Sequence, residues 1–142
     1  MFNEAGRPSL TQKWVRAILN EFYGTEGIHG YGYGQDEDQG QLGAWYVISS
    51  MGLFDVKGLT DSEPSVGLGA PLFDKITIQL NNQYYKGKEF VIEVKNNTAE
   101  NPYVQQYTLN GEALHETRIP FSALTEGGYL QIEMGSQPKD QY

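Results

Sequence analysis

Three consecutive acidic residues, Asp36-Glu37-Asp38, are the side chains in this sequence best suited to do chemistry. Asp36 and Asp38 are two positions apart. Two carboxylates that close raise the pKa of one member, because both cannot ionise cheaply side by side, and a nearby divalent cation offsets the effect. Such a pair can hold a water molecule and take a proton from it. Asp38 also stands three residues before Gln41, the spacing of a capping box, so helix capping alone would account for it. By spacing alone the cap is the commoner use. A self-contained calcium loop is excluded, because the Asp36-x-Asp38-x-Gly40 string lacks an oxygen ligand at its fifth position. Its twelfth position is Val47, where an EF-hand needs Glu.

The neighbours of the cluster suit a polar, neutral ligand. Tyr31 and Tyr33 alternate with glycines in Gly30-Tyr31-Gly32-Tyr33-Gly34 and could stack on a sugar ring or cover the mouth of a site. Gln41 is a further candidate for binding substrate, since its amide can both donate and accept. His29 and His115 are the two histidines, with no spacing that makes a zinc site, and no residue is assigned to a metal.

Two helices must carry this segment. Trp14, Val15, Ile18, Leu19 and Phe22 fall on one stripe of a 3.6-residue period, with Ser9 and Gln12 at capping-box spacing and Gly24 placed to end the helix. From Gln41 the pattern turns helical again, with Leu42, Trp45, Ile48 and Met51 on one face, and it ends at Gly52. Trp14 and Trp45 lie on these apolar faces, where core packing is the expected role. Between the helices, residues 24–40 hold six glycines and read as a loop. Connections longer than about 12–15 residues generally bind or catalyse something.

The remainder reads as β. Ile76, Ile78 and Leu80 alternate with Thr77 and Gln79, and Phe90, Ile92 and Val94 with Val91, Glu93 and Lys95; the run Tyr103 to Leu109, and Leu130, Ile132 and Met134, behave the same way. Turn signals separate them at Asn81-Asn82, Asn96-Asn97, Asn110-Gly111 and Gly127-Gly128, and Asn110-Gly111 is the strongest hairpin signal. The expected fold is α+β, two helices followed by an antiparallel β-sandwich-like region, with residues 1–56 as the helical part and 57–142 as the β part.

Composition narrows the partners. The 142 residues carry a net charge of −8, which repels nucleic acid and anionic membrane surfaces, and no apolar run reaches the roughly 18 residues of a membrane span. With no cysteine there is neither a disulfide nor a thiolate nucleophile. The opening Met1-Phe2-Asn3-Glu4-Ala5-Gly6-Arg7-Pro8 reads as the middle of a domain, without a signal peptide, so a piece of something longer is expected.

Three stretches resemble glycoside hydrolase family 92. Asn3 to Pro8, with Thr11-Gln12 and Val15-Arg16, is similar to that family's approach to a late barrel helix. Gly34-Gln35-Asp36-Glu37-Asp38-Gln39-Gly40-Gln41-Leu42-Gly43-Ala44-Trp45-Tyr46-Val47 resembles its most distinctive motif, and Gly69 to Ile76 with Glu133-Met134-Gly135-Ser136 resembles its C-terminal β region. The resemblance implies calcium-dependent, exo-acting hydrolysis of terminal α-mannosides, α-1,2 favoured, with inversion, on an (α/α)6 barrel joined to a β-sandwich. It implies a secreted setting, periplasmic or extracellular, for the whole enzyme.

The same resemblance makes Asp38 the general base and Asp36 its companion in holding the water. The family's catalytic acid and an Asn-Glu-Pro segment lie upstream of anything present. The two helices would thus be the end of the barrel, and the fragment alone is expected to be inactive and not to retain calcium. Its partners would be α-mannoside glycans and the upstream remainder of the enzyme. Two other readings remain open. One is a noncatalytic glycan-binding or structural module presenting Tyr103, Tyr107 and Tyr129. The other is a homodimer that hides the apolar helix stripes.

Overall fold

The computed structural model describes residues 2–23 and 40–142. Helix α1 spans Pro8–Glu21 and α2 spans Gln41–Ser50. Eight strands follow, β1 (Leu53–Phe54), β2 (Ser65–Leu68), β3 (Lys75–Gln79), β4 (Glu89–Lys95), β5 (Tyr103–Leu109), β6 (Glu112–Leu114), β7 (Arg118–Pro120) and β8 (Gly128–Gly135). A short helix α3 (Phe121–Thr125) lies between the last two. The α+β class holds.

The strands form two open sheets, one ordered β1-β2-β7 and one ordered β3-β4-β8-β5-β6. In the larger sheet Phe90, Ile92 and Val94 alternate with more exposed residues, and so do Leu130, Ile132 and Met134, as a half-buried strand requires. Their inner side chains join Leu53, Val66, Leu68 and Ile119 of the smaller sheet in one hydrophobic cluster. Full burial of such a side chain contributes about 1.5–3 kcal/mol. The hairpin of β5 and β6 turns on Asn110 and Gly111, both with positive φ, 51° and 90°, the geometry that Asn-Gly supplies at least cost.

One pairing departs from the expected antiparallel arrangement. β4 runs parallel to β8, Ile92 opposite Leu130 and Val94 opposite Ile132, while β8 is antiparallel to β5. The chain leaves β4, makes β5 to β7 and α3, and returns to fill the gap between β4 and β5. Gly127-Gly128 accordingly do not close a hairpin. Gly127, with φ 81°, follows α3 and lets the chain turn from that helix into β8. The hairpin of β1 and β2 crosses position 56, so the smaller sheet draws strands from both sides of it.

The helices depart further, because α1 buries only part of its apolar stripe. Its buried residues are Pro8, Ser9, Gln12 and Leu19, whereas Trp14 is 50% exposed and Phe22 53%. Gln12 explains what holds it. The β5–β8 register shifts between Val104 and Gln106, and the Val104 N–H donates to Gln12 Oε1 at 3.0 Å. Gln12 Nε2 donates to the Tyr142 hydroxyl at 2.7 Å. The expected capping box is therefore not formed, since Gln12 is engaged with the sheet. Arg7 is the N-cap residue, and the Ser9 N–H donates instead to Asp140 Oδ1 at 3.0 Å. Gly24 lies outside the described residues.

In α2 the buried residues are Ser49 and Ser50, whereas Val47 is 52% and Ile48 41% exposed. Neither tryptophan is a core residue, contrary to the expectation from the stripes. Gly52 ends α2 with φ 72°, and a Cβ there would lie 2.7 Å from Pro71 Cγ, so the position admits only glycine without movement.

Candidate functional site

Asp36 and Asp38, the candidate catalytic pair, lie outside the described residues, as do Glu37, His29, Tyr31 and Tyr33. What is described is the frame on either side of them. α1 delivers the chain to Tyr23, and α2 receives it at Gly40. Tyr23 stacks on Trp45 with ring centroids 5.4 Å apart and meets Tyr46 at 5.1 Å. This aromatic cluster holds the two ends of segment 24–39 together, and offset ring pairs of this kind contribute about 0.5–1.5 kcal/mol beyond the area they bury. Sequence reasoning missed Tyr23. The available signal was an aromatic residue immediately before the glycine-rich segment and a Trp-Tyr pair one turn into the helix after it.

Gln41 is the one proposed substrate contact that is described, and it is exposed at the first position of α2. The N-cap position belongs to Gly40, with φ 86° and no side-chain capping bond. A capping box made by Asp38 and Gln41 would need Gln41 at the third helical position. Gln41 is instead at the first, and Asp38 lies outside the described residues.

The helical frame is anchored on the β part by polar contacts. Arg16 donates to the Pro71 carbonyl at 2.7 Å and to Asn97 Oδ1 at 2.8 Å, and burial lowers its pKa. At the other end of α1, Asp140 accepts from Ser9 and from Arg7 Nε at 2.9 Å. These hydrogen bonds, Ser9 first, hold its carboxyl below the ordinary range. Tyr142 packs on Tyr107 at 5.0 Å between ring centroids, and burial raises both phenols. Residues 139–142 thus fasten α1 to the larger sheet.

Among the described residues no three His, Cys, Asp or Glu side chains come together to hold a metal ion. His115 Nδ1 is 2.9 Å from the Tyr142 carbonyl oxygen, a contact within the β part. Of the three tyrosines a glycan-binding module would present, Tyr107 is completely buried. No described helix is long and apolar enough to cross a membrane.

The same arrangement of helices and sheets recurs in carbohydrate-cleaving enzymes. An α-mannosidase from Bacteroides thetaiotaomicron superposes with a TM-score of 0.84 at 26% identity, over 98% of this chain and 17% of that one. The structure of the same enzyme in complex with mannoimidazole gives 0.82. An inverting mannosidase from the same organism gives 0.75 at 34% identity, over 94% of this chain and 17% of its own. A protein of Arthroderma benhamiae described as an uncharacterized secreted glycosidase is 26% identical over 141 residues, 96% of this chain and 17% of that protein. The class is therefore glycoside hydrolase. The family model of the glycosyl hydrolase family 92 catalytic domain matches residues 1–136, and the chain belongs to that family. It spans about a sixth of the length of these relatives.

Proposed function

We propose that this chain is the C-terminal part of an inverting α-mannosidase that removes terminal α-mannosyl residues, α-1,2-linked ones by preference, and that it supplies the general base. The observation that carries the reading is the family match over residues 1–136, which contains the acidic cluster and the helix that follows it. Mannosidase activity in two of the matched structures supports the substrate class.

In an inverting glycosidase one carboxylic acid protonates the leaving oxygen while a carboxylate on the opposite face of the sugar takes a proton from the attacking water. The two groups stand roughly 6.5–9.5 Å apart to admit that water. Asp38 is the carboxylate in this reading, with Asp36 helping to hold the water. Tyr31, Tyr33 and Gln41 contact the sugar. The acid comes from polypeptide outside these 142 residues. Calcium, which the family resemblance implies, belongs to the complete enzyme in this reading. The enzyme works in the periplasm or outside the cell, in keeping with the relative described as secreted.

Replacement of Asp38 by Asn in the longer enzyme tests the assignment. The substitution is expected to lower kcat about 10²–10⁴-fold with little change in KM, the usual size of a lost general base. Asp36→Asn should cost less, Gln41→Ala should act mainly on KM, and proton NMR of the first product should show the inverted anomer. An Asp38→Asn enzyme with undiminished kcat would remove Asp38 from the mechanism.

A further inference from the structure

Asn110-Gly111 is the one Asn-Gly pair in the sequence, and both residues are exposed at the tip of the β5–β6 hairpin. The chemistry latent in such a pair is intramolecular. The Gly111 backbone nitrogen attacks Asn110 Cγ. The N–Cγ bond forms, the Cγ–Nδ2 bond breaks, and Nδ2 leaves as ammonia with the proton that the Gly111 nitrogen gives up. Water then opens the succinimide ring. Addition at Cγ yields aspartate, whereas addition at the Asn110 backbone carbonyl carbon yields isoaspartate, with the chain rerouted through Cβ and Cγ. Glycine favours the attack because it puts no side chain beside the approaching nitrogen.

The folded hairpin blocks the first step. Both residues have positive φ, 51° and 90°, in a two-residue loop between the paired Leu109 and Glu112, which is the type I′ geometry. In that turn ψ of the first central residue is about 30°, the mirror of its type I value. Tetrahedral geometry at Cα then sets the Gly111 nitrogen roughly opposite Cβ across the Cα–C bond, out of reach of Cγ. Ring closure needs a strongly negative ψ, which steric clash denies to an Asn with positive φ. Asn110 must therefore leave the left-handed region, and the hairpin must open, before the nitrogen meets Cγ.

A second constraint acts on the side chain. The Asn110 N–H donates to the Tyr129 carbonyl at 2.8 Å, and Asn110 Oδ1 accepts from the Tyr129 N–H at 2.8 Å. The residue thereby extends the β5–β8 ladder beyond its last pair, Leu109 with Leu130. The amide sits against Gly128, where a Cβ would lie 2.8 Å from Oδ1. Gly128, which closes no hairpin, thus leaves room for this clip.

We propose that Asn110-Gly111 is a site of spontaneous deamidation, with water as co-reactant, that the left-handed turn and the Tyr129 clip hold closed while the hairpin is folded. Conversion to aspartate keeps an oxygen that accepts from the Tyr129 N–H. Isoaspartate inserts an extra backbone atom into the two-residue loop. Leu109 and Glu112 then lose their register, and β6, at the edge of the larger sheet, loses the strand it pairs with.

The test incubates the purified 142-residue chain at mildly alkaline pH, native and in urea. Conversion of Asn110 is followed by peptide mass spectrometry, and isoaspartate is scored by methyl transfer with a protein isoaspartate methyltransferase. The rate in the native chain is expected to be about tenfold or more below the rate in urea, since reaction waits on local opening. The isoaspartate fraction is expected to lose hydrogen-exchange protection in β6. Equal rates in the two states would overturn the proposal, as would an isoaspartate fraction whose exchange matches that of the untreated protein. Gly128→Ala, which crowds Oδ1, should raise the native rate and leave the rate in urea unchanged. An unchanged native rate in that variant would remove the clip from the account. The comparison of native with urea uses the unsubstituted protein, so it decides the proposal even where Gly128→Ala does not fold.

Discussion

The two parts of this molecule treat apolar surface in opposite ways. In the β part Phe90, Ile92, Val94, Leu130, Ile132 and Met134 turn inward and polar residues turn out, which is how a sheet with one covered face behaves. In the helical part Ser9, Gln12, Ser49 and Ser50 turn inward beside the single apolar stripe residue Leu19, while Trp14, Phe22, Val47 and Ile48 face solvent. The first is a finished core. The second leaves much of its apolar surface exposed and is held in place by hydrogen bonds of Gln12, Arg16 and Asp140. The difference shows that a helix can be oriented by a few buried polar contacts while much of its apolar face stays exposed.

That contrast is open to attack by mutation of the 142-residue chain, read by urea denaturation. The largest effect should come from Phe90→Ala, which empties a fully buried site in the shared core and should cost about 3–5 kcal/mol. If it cost less than 1 kcal/mol, the β part would not be the finished core described. Gln12→Leu comes next. It leaves the buried Val104 N–H without its acceptor and should cost about 1–3 kcal/mol, although Leu is the better helix former and the more apolar side chain. A stabilised Gln12→Leu protein would mean that α1 is not held by polar contacts.

Smaller effects sharpen the comparison. Gly111→Ala forces a side chain into left-handed backbone at the hairpin and should cost about 1–2 kcal/mol, with no steric clash added. Asp140 governs the acid side. Its folded-state pKa is depressed, so its contribution is complete above the unfolded carboxylate value, near 4, and is lost as pH falls through the lower folded value. Asp140→Asn should therefore flatten the fall in stability below about pH 4, and an unchanged acid limb would contradict the tail's role in holding α1. Trp14→Ala should be nearly silent in this chain, within about 0.5 kcal/mol, because the side chain is half exposed.

The β part was legible in the sequence because alternation is local. Ile76 and Ile78, Phe90 to Val94 and Leu130 to Met134 declare their strands, and Asn110-Gly111 declares its hairpin. The parallel pairing of β4 with β8 was not, because it joins strands more than 30 residues apart through a register that no short window contains. β2 and β7 were missed since four- and three-residue strands, one interrupted by Gly67 and one ending at Pro120, carry too little pattern.

The helices were found from periodicity, but periodicity says which face is apolar and not what covers it, so Trp14 and Trp45 were assigned to a core. Gly40 likewise took the cap position that spacing offered to Asp38. The candidate site was legible only as a motif: Asp36 and Asp38 are outside the described residues, and the aromatic contacts that flank their segment, Tyr23 against Trp45 and Tyr46, join residues from separate helices.

The most direct test of the account compares hydrolysis of α-1,2-mannobiose, with calcium present, by the purified 142-residue chain and by the longer polypeptide that contains it. The account predicts that the chain alone releases no mannose and that the longer polypeptide does, because the base is here and the acid is elsewhere. Mannose release by the chain alone, abolished by Asp38→Ala, would contradict it.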